Sequence, residues 1–350
     1  MLVNELEMSG RRFVATRPGT VPPVIDESDW SVAVAPALPP RGSLDDFGEL
    51  ASLVADPRVT DVFVNGAERI SVDRGAGLER QAPLRMDEVS LREFAVRLIA
   101  LGGRHIDEAT PCVDVRLRDG IRVHVVLPPI STAGTLISIR LPRLRPLDLE
   151  ALDADGLFDI VPRSTVDSLV ARRVNILITG AGGSGKTTLL SAMLASAPPG
   201  DRIIAIEDVA ELRPAHPNFV SLEARQANLE GVGAVGLDRL VREALRMRPD
   251  RLVLGECRGA EVRELLAALN TGHDGGAGTL HANSLADVPA RIEALGALAA
   301  MDSTAIARQT VSAIGAVLHL ERSAAGRRLV QVGRFGLDAG DRLRMITDDG

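Results

Sequence analysis

The spacing of apolar residues divides this chain into parts. From Leu44 to Val54 they recur at helical spacing, which predicts a short amphipathic helix. Thr60-Asp-Val-Phe-Val64 and Arg69-Ile-Ser-Val-Asp73 alternate on either side of Asn65-Gly66, the pattern of two strands joined by a tight turn. Val89 to Ala100 returns to the helical period. Three more runs alternate: Val113-Asp-Val-Arg-Leu117, Arg122-Val-His-Val-Val126 and Thr135-Leu-Ile-Ser-Ile139, the first two separated by Asp119-Gly120. Together they predict a small α+β domain over residues 43–141.

Residues 142–160, with Pro142 and Pro146, read as a linker. Beyond them short apolar runs alternate with helical ones. Val174-Asn-Ile-Leu-Ile-Thr179, Arg202-Ile-Ile-Ala-Ile206, Arg251-Leu-Val-Leu254 and Ala277-Gly-Thr-Leu280 read as strands of a mostly parallel α/β sheet occupying residues 161–350. Two helices are expected from about Ala286 and Ser303, and antiparallel strands over Ala316 to Leu320 and Arg328 to Val332. Residues 1–42 hold Pro18, Pro22, Pro23, Pro36, Pro39 and Pro40 with little periodicity, and read as a mobile tail. There is no internal repeat.

Composition narrows the function classes. A length of 350 residues gives room for two domains, and a hydrophobic fraction of 45% is enough for a core. A net charge of −7 and 2% aromatics argue against direct nucleic-acid binding, which wants a basic face and stacking platforms. Cys112 and Cys257 lie too far apart for a redox or metal motif, so a reduced, cytoplasmic protein is expected. Met1 to Met8 is acidic and lacks the apolar stretch of a signal peptide. No run approaches the ~18 apolar residues of a membrane span. A membrane role would therefore go through a partner.

The chemistry starts from one residue. Of 40 basic residues only Lys186 is lysine, and it lies in Gly180-Ala181-Gly182-Gly183-Ser184-Gly185-Lys186-Thr187-Thr188. This is a phosphate-binding loop. The glycines permit a backbone path that turns successive N–H groups inward, and the compact ammonium reaches the β- and γ-phosphates. A guanidinium would crowd that cradle. The strand before it and the helical run after it, stopped by Pro198-Pro199, put the anion at a helix N-terminus. Thr187 is read as a Mg²⁺ ligand, and ATP as the nucleotide.

Acidic residues follow two strands. Glu207-Asp208-Val-Ala-Glu211 stands at the carboxyl end of one, where ligands bind in parallel sheets. One carboxylate should orient the attacking water; Glu211 is preferred, Glu207 second. Leu252-Val-Leu254-Gly255-Glu256 is a Walker B-like strand with Gly-Glu where many NTPases have Asp. Glu256 would hold Mg²⁺ through water, or simply pair with Arg258. A guanine-reading lysine motif cannot exist with one lysine, and the Leu-Ser-Gly-Gly-Gln signature of transporter ATPases is absent.

Four boxes thus occur in order: the loop, Ile206 to Leu212, Leu254 to Ala260, and Thr271-Gly-His-Asp-Gly-Gly-Ala-Gly-Thr-Leu-His-Ala-Asn283. They resemble the Walker A, Asp box, atypical Walker B and His box of type II/type IV secretion traffic ATPases, and are most similar to the CpaF-type ATPases of the Flp pilus. Asp56 to Gly66 and Asp119 to Pro129 look like that family's first domain, so the resemblance spans roughly residues 44–335. Cys257 stands where Val or Met is commoner, and the family's tail is often longer and more structured. The resemblance implies a RecA-like P-loop NTPase domain behind a small α+β domain. It also implies a hexameric ring that hydrolyses ATP with Mg²⁺, works at the cytoplasmic face through an inner-membrane platform protein, and drives pilus assembly or secretion.

His273 and His281 bracket a glycine-rich stretch and read as γ-phosphate sensors rather than zinc ligands. Arg239, Arg242 and Arg246 share a helical face. On its own that is a solvated face. The resemblance raises a role for Arg242, Arg246 or Arg248 at a subunit interface or active site. It likewise makes Arg122 and Arg140 candidate phosphate contacts, across the interdomain cleft or in trans. Two other functions fit the same motifs: a nucleic-acid motor for conjugal DNA transfer or a helicase-like task, and a nucleotide-gated scaffold.

Overall fold

The computed structural model describes residues 44–75, 77–142, 147–225, 232–323 and 326–347, with only the backbone of Asp119. The expected proline-rich tail and Pro146 lie outside the described residues. The structure is α/β, with two sheets.

The first sheet has six strands in the order β3-β2-β1-β6-β5-β4. They are β1 (Asp61–Asn65), β2 (Ile70–Asp73), β3 (Leu78–Gln81), β4 (Cys112–Arg116), β5 (Arg122–Val126) and β6 (Leu136–Arg140). All the pairings are antiparallel. Burial alternates as the sequence does; Val62, Val64, Ile70, Val72, Val123, Val125, Ile137 and Ile139 turn one face inward. Gly66 makes the β1–β2 turn at φ 76°, where a side chain would be strained. The sheet closes on helix α2 (Glu88–Leu101), which buries Leu91, Phe94, Ala95, Leu98 and Ile99, a stripe at helical spacing. Asp87 caps α2 by accepting from Ser90 N at 2.9 Å.

Two expectations change here. Leu44 to Val54 is not one helix. Gly48, at φ 49°, kinks a 3₁₀ stretch, Leu44–Leu50, and only Ala51–Ala55 (α1) is α-helical. The predicted linker holds a helix, α3 (Leu149–Ala154), because Asp148 caps it on Ala151 N and Leu149 and Leu152 are buried.

The second sheet has eight strands in the order β14-β13-β12-β7-β11-β10-β8-β9. They are β7 (Ile176–Gly180), β8 (Ile203–Glu207), β9 (Phe219–Glu223), β10 (Arg251–Leu254), β11 (Ala277–His281), β12 (Ala316–Ser323), β13 (Gly326–Leu337) and β14 (Leu343–Thr347). From β12 to β9 every neighbour is parallel, and β13 and β14 add an antiparallel edge. β7, β8 and β10 are buried along their whole length, as strands covered on both faces must be. Helices α4 (Arg163–Ala171) and α5 (Lys186–Ala195) join α3 on one face. Helices α6 (Leu237–Ala244), α7 (Val262–Leu269), α8 (Val288–Leu298) and α9 (Ser303–Ala313) cover the other. Strands β3, β9 and β14 have no forecast in the sequence pattern; β3 and β9 are short edge strands and β14 completes the antiparallel edge. Among the described residues no helix is long and apolar enough to cross a membrane.

Because β7, β8, β10 and β11 are parallel, their carboxyl ends open on one side. That places the loop from Gly180, the acids from Glu207, Gly255-Glu256 and His281 together, across a cleft from the first sheet.

Candidate functional site

The cleft is about 480 Å³ and is lined by both sheets. Its floor is the loop between β7 and α5. Gly180, Gly183 and Gly185 take positive φ of 145°, 72° and 101°. A Cβ on Gly180 would overlap the Leu320 carbonyl oxygen of β12, so the loop starts hard against the neighbouring strand. Lys186 Nζ donates to the carbonyls of Gly180 and Ala181, each at 2.9 Å, and is 6% exposed. Burial lowers its pKa. Ser184 Oγ is buried and has no hydrogen-bond partner among the described residues. Gly182, Gly183, Gly185, Lys186, Thr187 and Thr188 all line the cleft. A triphosphate tail fits this cradle: the loop glycines, the helix N-terminus and the ammonium are all in place.

Glu256 projects from the end of β10. Its Oε2 accepts from Arg258 Nη2 at 2.7 Å and its Oε1 meets His281 Nε2 at 3.0 Å. Burial pushes its pKa up, but the Arg258 bond and the charges of His281 and Lys186 outweigh this and hold it below the usual carboxylate value. His281 is pushed down, by burial first and by Lys186 next. Thr279 Oγ1 donates to Gly255 O at 2.6 Å and locks β11 to β10 here. Among the described residues no three His, Cys, Asp or Glu side chains gather to hold a metal. The Thr187 hydroxyl at the cleft would hold a Mg²⁺ ion, with Glu256 reaching it through water.

The other two acids differ in kind. Glu207 is 4% exposed. Its Oε1 accepts from Glu211 N at 3.0 Å and Leu212 N at 3.1 Å, and a Cβ on Gly255 would stand 2.5 Å from its Cγ. It shapes the 208–212 loop from below. Burial raises its pKa to about 7. Glu211 reaches across the cleft, where Oε1 accepts from Arg122 Nη1 at 2.9 Å. Arg116 also crosses, pairing with Glu223.

The raised Glu207 value carries a pH prediction. A carboxyl whose folded pKa lies above its unfolded value binds its proton more tightly in the folded state. Its stabilising contribution is complete below about pH 4.5 and is lost as pH rises through about 7. Glu207→Gln cannot titrate and keeps an oxygen for the loop amides. It should gain on the wild type between pH 5 and 8, by at most roughly 3 kcal/mol. Urea unfolding at both pH values checks this; a constant difference between the two proteins would refute it.

The first sheet contributes a charged row. Arg116, Arg122, Arg140, Asp61 and Asp73 are successive register partners across five strands. All but Arg116 line the cleft. Arg122 and Arg140 thus both face the cleft.

Three expected residues stand elsewhere. His273 precedes β11, and its Nδ1 meets Ala268 O at 3.1 Å. His281 ends β11, whose rise from Ala277 is about 13 Å, and His273 lies before its start. The two histidines are not a pair. Arg242 bonds Asp238 and Glu264 on the exposed face of α6, and Arg246, in the 3₁₀ turn Leu245–Met247 that follows, bonds Glu243; neither lines the cleft. The reading missed Arg213, Arg322 and Arg327, which line the cleft. No pattern in the sequence marked Arg327, which stands just before the expected strand Arg328 to Val332; its contact, Gly183, is 144 residues away.

The loop, the two acidic strand ends and the histidine strand meet in one cleft, and comparison with known proteins gives the chain its family. Type II/IV secretion system proteins match residues 43–328. The chain belongs to this family. A Mycobacterium tuberculosis protein named for conjugal transfer is 48% identical over 287 residues, covering 80% of this chain and 82% of that protein. The conjugal transfer protein TrbB of Rhizobium radiobacter is 32% identical over 297 residues, covering 82% and 87%. In fold, the chain is similar to the pilus retraction motor PilT with bound ADP, at TM-score 0.57 and 20% identity, covering 85% and 82%. It is also similar to the Legionella pneumophila ATPase DotB, at 0.54 and 18%, covering 89% and 81%. This secretion family therefore fixes the fold class read from the sequence, down to the P-loop sheet behind a smaller N-terminal one.

Proposed function

We propose that this protein is an ATP-hydrolysing motor serving a conjugal transfer system. What supports hydrolysis is the constellation at the ends of β7, β10 and β11: Lys186, Thr187, Glu256 and His281 line one cleft. When bound, Mg²⁺ would neutralise the charge of the phosphates. Lys186 would hold the β- and γ-phosphates, with the loop amides around them. Glu256, fixed by Arg258 and His281, would orient water, taking the role the sequence reading gave Glu211. Glu211 would instead hold Arg122 near the phosphates until the sheets close on them.

Glu256→Gln is expected to bind ATP and lose turnover about a hundredfold, and Glu211→Gln to lose about tenfold. Nucleotide binding and phosphate release measured on both variants test this; the reverse order returns the water to Glu211.

Relatives named for conjugal transfer support that process over the pilus assembly first expected, and the CpaF-type subtype drops out of the proposal. The acidic balance, −7, favours action on the transfer machinery rather than on DNA directly. In this reading the two sheets are separate domains of each subunit in a hexameric ring. The ring would sit at the cytoplasmic face through a membrane partner. Removing the protein from its host should abolish DNA transfer; transfer at wild-type frequency with loss of pili would restore the pilus reading.

A further inference from the structure

Strands β12 and β13 set two arginines directly opposite each other: Arg322 and Arg327 are register partners. Such partners share one face of a sheet, and like charges so placed repel. Side chains alternate along β13, so the next residue turns away. Arg328 Nε meets Asp159 Oδ2 at 3.0 Å, and Leu329 N donates to Leu157 O at 2.8 Å. The strand is thus anchored from behind while Arg322 and Arg327 face the phosphate loop. Arg327 Nε donates to Gly183 O at 3.0 Å. Its Cδ lies 3.1 Å from where a Cβ on Gly185 would stand. Arg322 Nη2 donates to Gly75 O at 3.0 Å, in the β2–β3 turn of the other sheet. Its Nη1 lies 3.5 Å from a Cβ position on Gly183.

The Gly183 carbonyl and the Ser184 N–H belong to one peptide group. A cationic donor on the oxygen polarises the group and strengthens the N–H as a donor to an anion. It also fixes the turn at Gly183, one of the loop glycines held at positive φ. We propose that Arg327 is a positioning residue of the phosphate cradle, acting through the Gly183–Ser184 peptide, and that Arg322 ties this same hairpin to the first sheet. The pair makes a clamp within one subunit that lies outside all four sequence boxes. The clamp rests on the ATPase reading above.

A clamp on the loop serves ground state and transition state alike. Arg327→Gln should therefore weaken ADP and ATP binding equally, on the order of tenfold, and raise KM while kcat holds within about threefold. Arg328→Gln, on the same strand but the opposite face, controls for damage to the hairpin and should bind within about twofold of wild type. The probes are fluorescent ADP and a non-hydrolysable ATP analogue, with steady-state phosphate release alongside. Binding by Arg327→Gln at the wild-type level overturns the clamp. So does loss confined to the ATP analogue, which would make Arg327 a direct γ-phosphate contact. Full recovery in Arg327→Lys also overturns it, by tracing the effect to charge rather than to the directed Nε bond. Wild-type protein that binds neither nucleotide overturns the ATPase reading, and the clamp with it.

Discussion

Lys186→Ala is expected to remove ATP turnover by a hundred- to thousandfold or about that, while the protein stays folded. The side chain is buried and gives its protons to two loop carbonyls, at Gly180 and Ala181. These bonds shape the loop from inside. Their loss leaves two carbonyls without their donor, at a cost of roughly 1–3 kcal/mol in stability, too little to unfold a domain with cores on both sheet faces. The catalytic loss is larger because Lys186 is the one cationic residue in the stretch 180–188, and phosphoryl transfer depends on stabilising charge where it develops. Lys186→Arg should fare little better. Its planar guanidinium cannot enter a turn that already closes on the Leu320 carbonyl. Phosphate release by the purified variants decides the matter; turnover within about tenfold of wild type would sink the assignment of this loop.

The largest expected effect on stability lies at the opposite end of the same sheet. Asp201→Ala should destabilise the protein by about 3–5 kcal/mol. Asp201 is 8% exposed, and its two oxygens take Arg173 Nη1 at 2.8 Å and Arg251 Nε at 2.7 Å. Arg251 is 3% exposed and also donates to Val170 O at 3.2 Å. Arg173, more exposed, donates to Asp250 O at 2.8 Å. These bonds tie the end of α4 to the starts of β8 and β10. Alanine would leave the Arg251 guanidinium buried without its counter-charge, which costs more than the pair itself contributes. Surface pairs such as Arg246–Glu243 contribute about 0–1 kcal/mol by comparison. Urea unfolding measures the loss. Adding Arg251→Met to Asp201→Ala should recover much of it, since an apolar side chain leaves no stranded charge. A single-variant loss below about 1 kcal/mol would show that water reaches Arg251.

Neither effect was equally visible in the chain. The loop around Lys186 is contiguous, so its chemistry is written in nine neighbouring residues. The Asp201 bolt joins residues 173, 201 and 251, and no local pattern marks Asp201 as anything but a loop carboxylate before a strand. The same contrast holds among the acids. Glu207, Glu211 and Glu256 were all recognised as lying at strand ends. Their division of labour was not: Glu207 holds backbone amides, Glu211 holds Arg122 of the other sheet, and Glu256 is flanked by Arg258 and His281. The histidine spacing misled, because a glycine-rich stretch looks like a flexible loop. In the sheet Ala277–His281 is an extended parallel strand, which drives its ends apart.

The sequence by itself determined the main strands and helices, the two-sheet division, the phosphate-loop motif and the broad family, because each is carried by residues close together in the chain. Periodicity sets which face a strand or helix buries, and glycines set where the loop can turn. Tertiary structure alone decided which groups distant in the chain meet. Arg122 with Glu211, Arg327 with Gly183 and Asp201 with Arg251 are joined across 89, 144 and 50 residues. Such pairings depend on strand order and on how the two sheets face each other. Those are settled by packing the whole core, which no short stretch of sequence records.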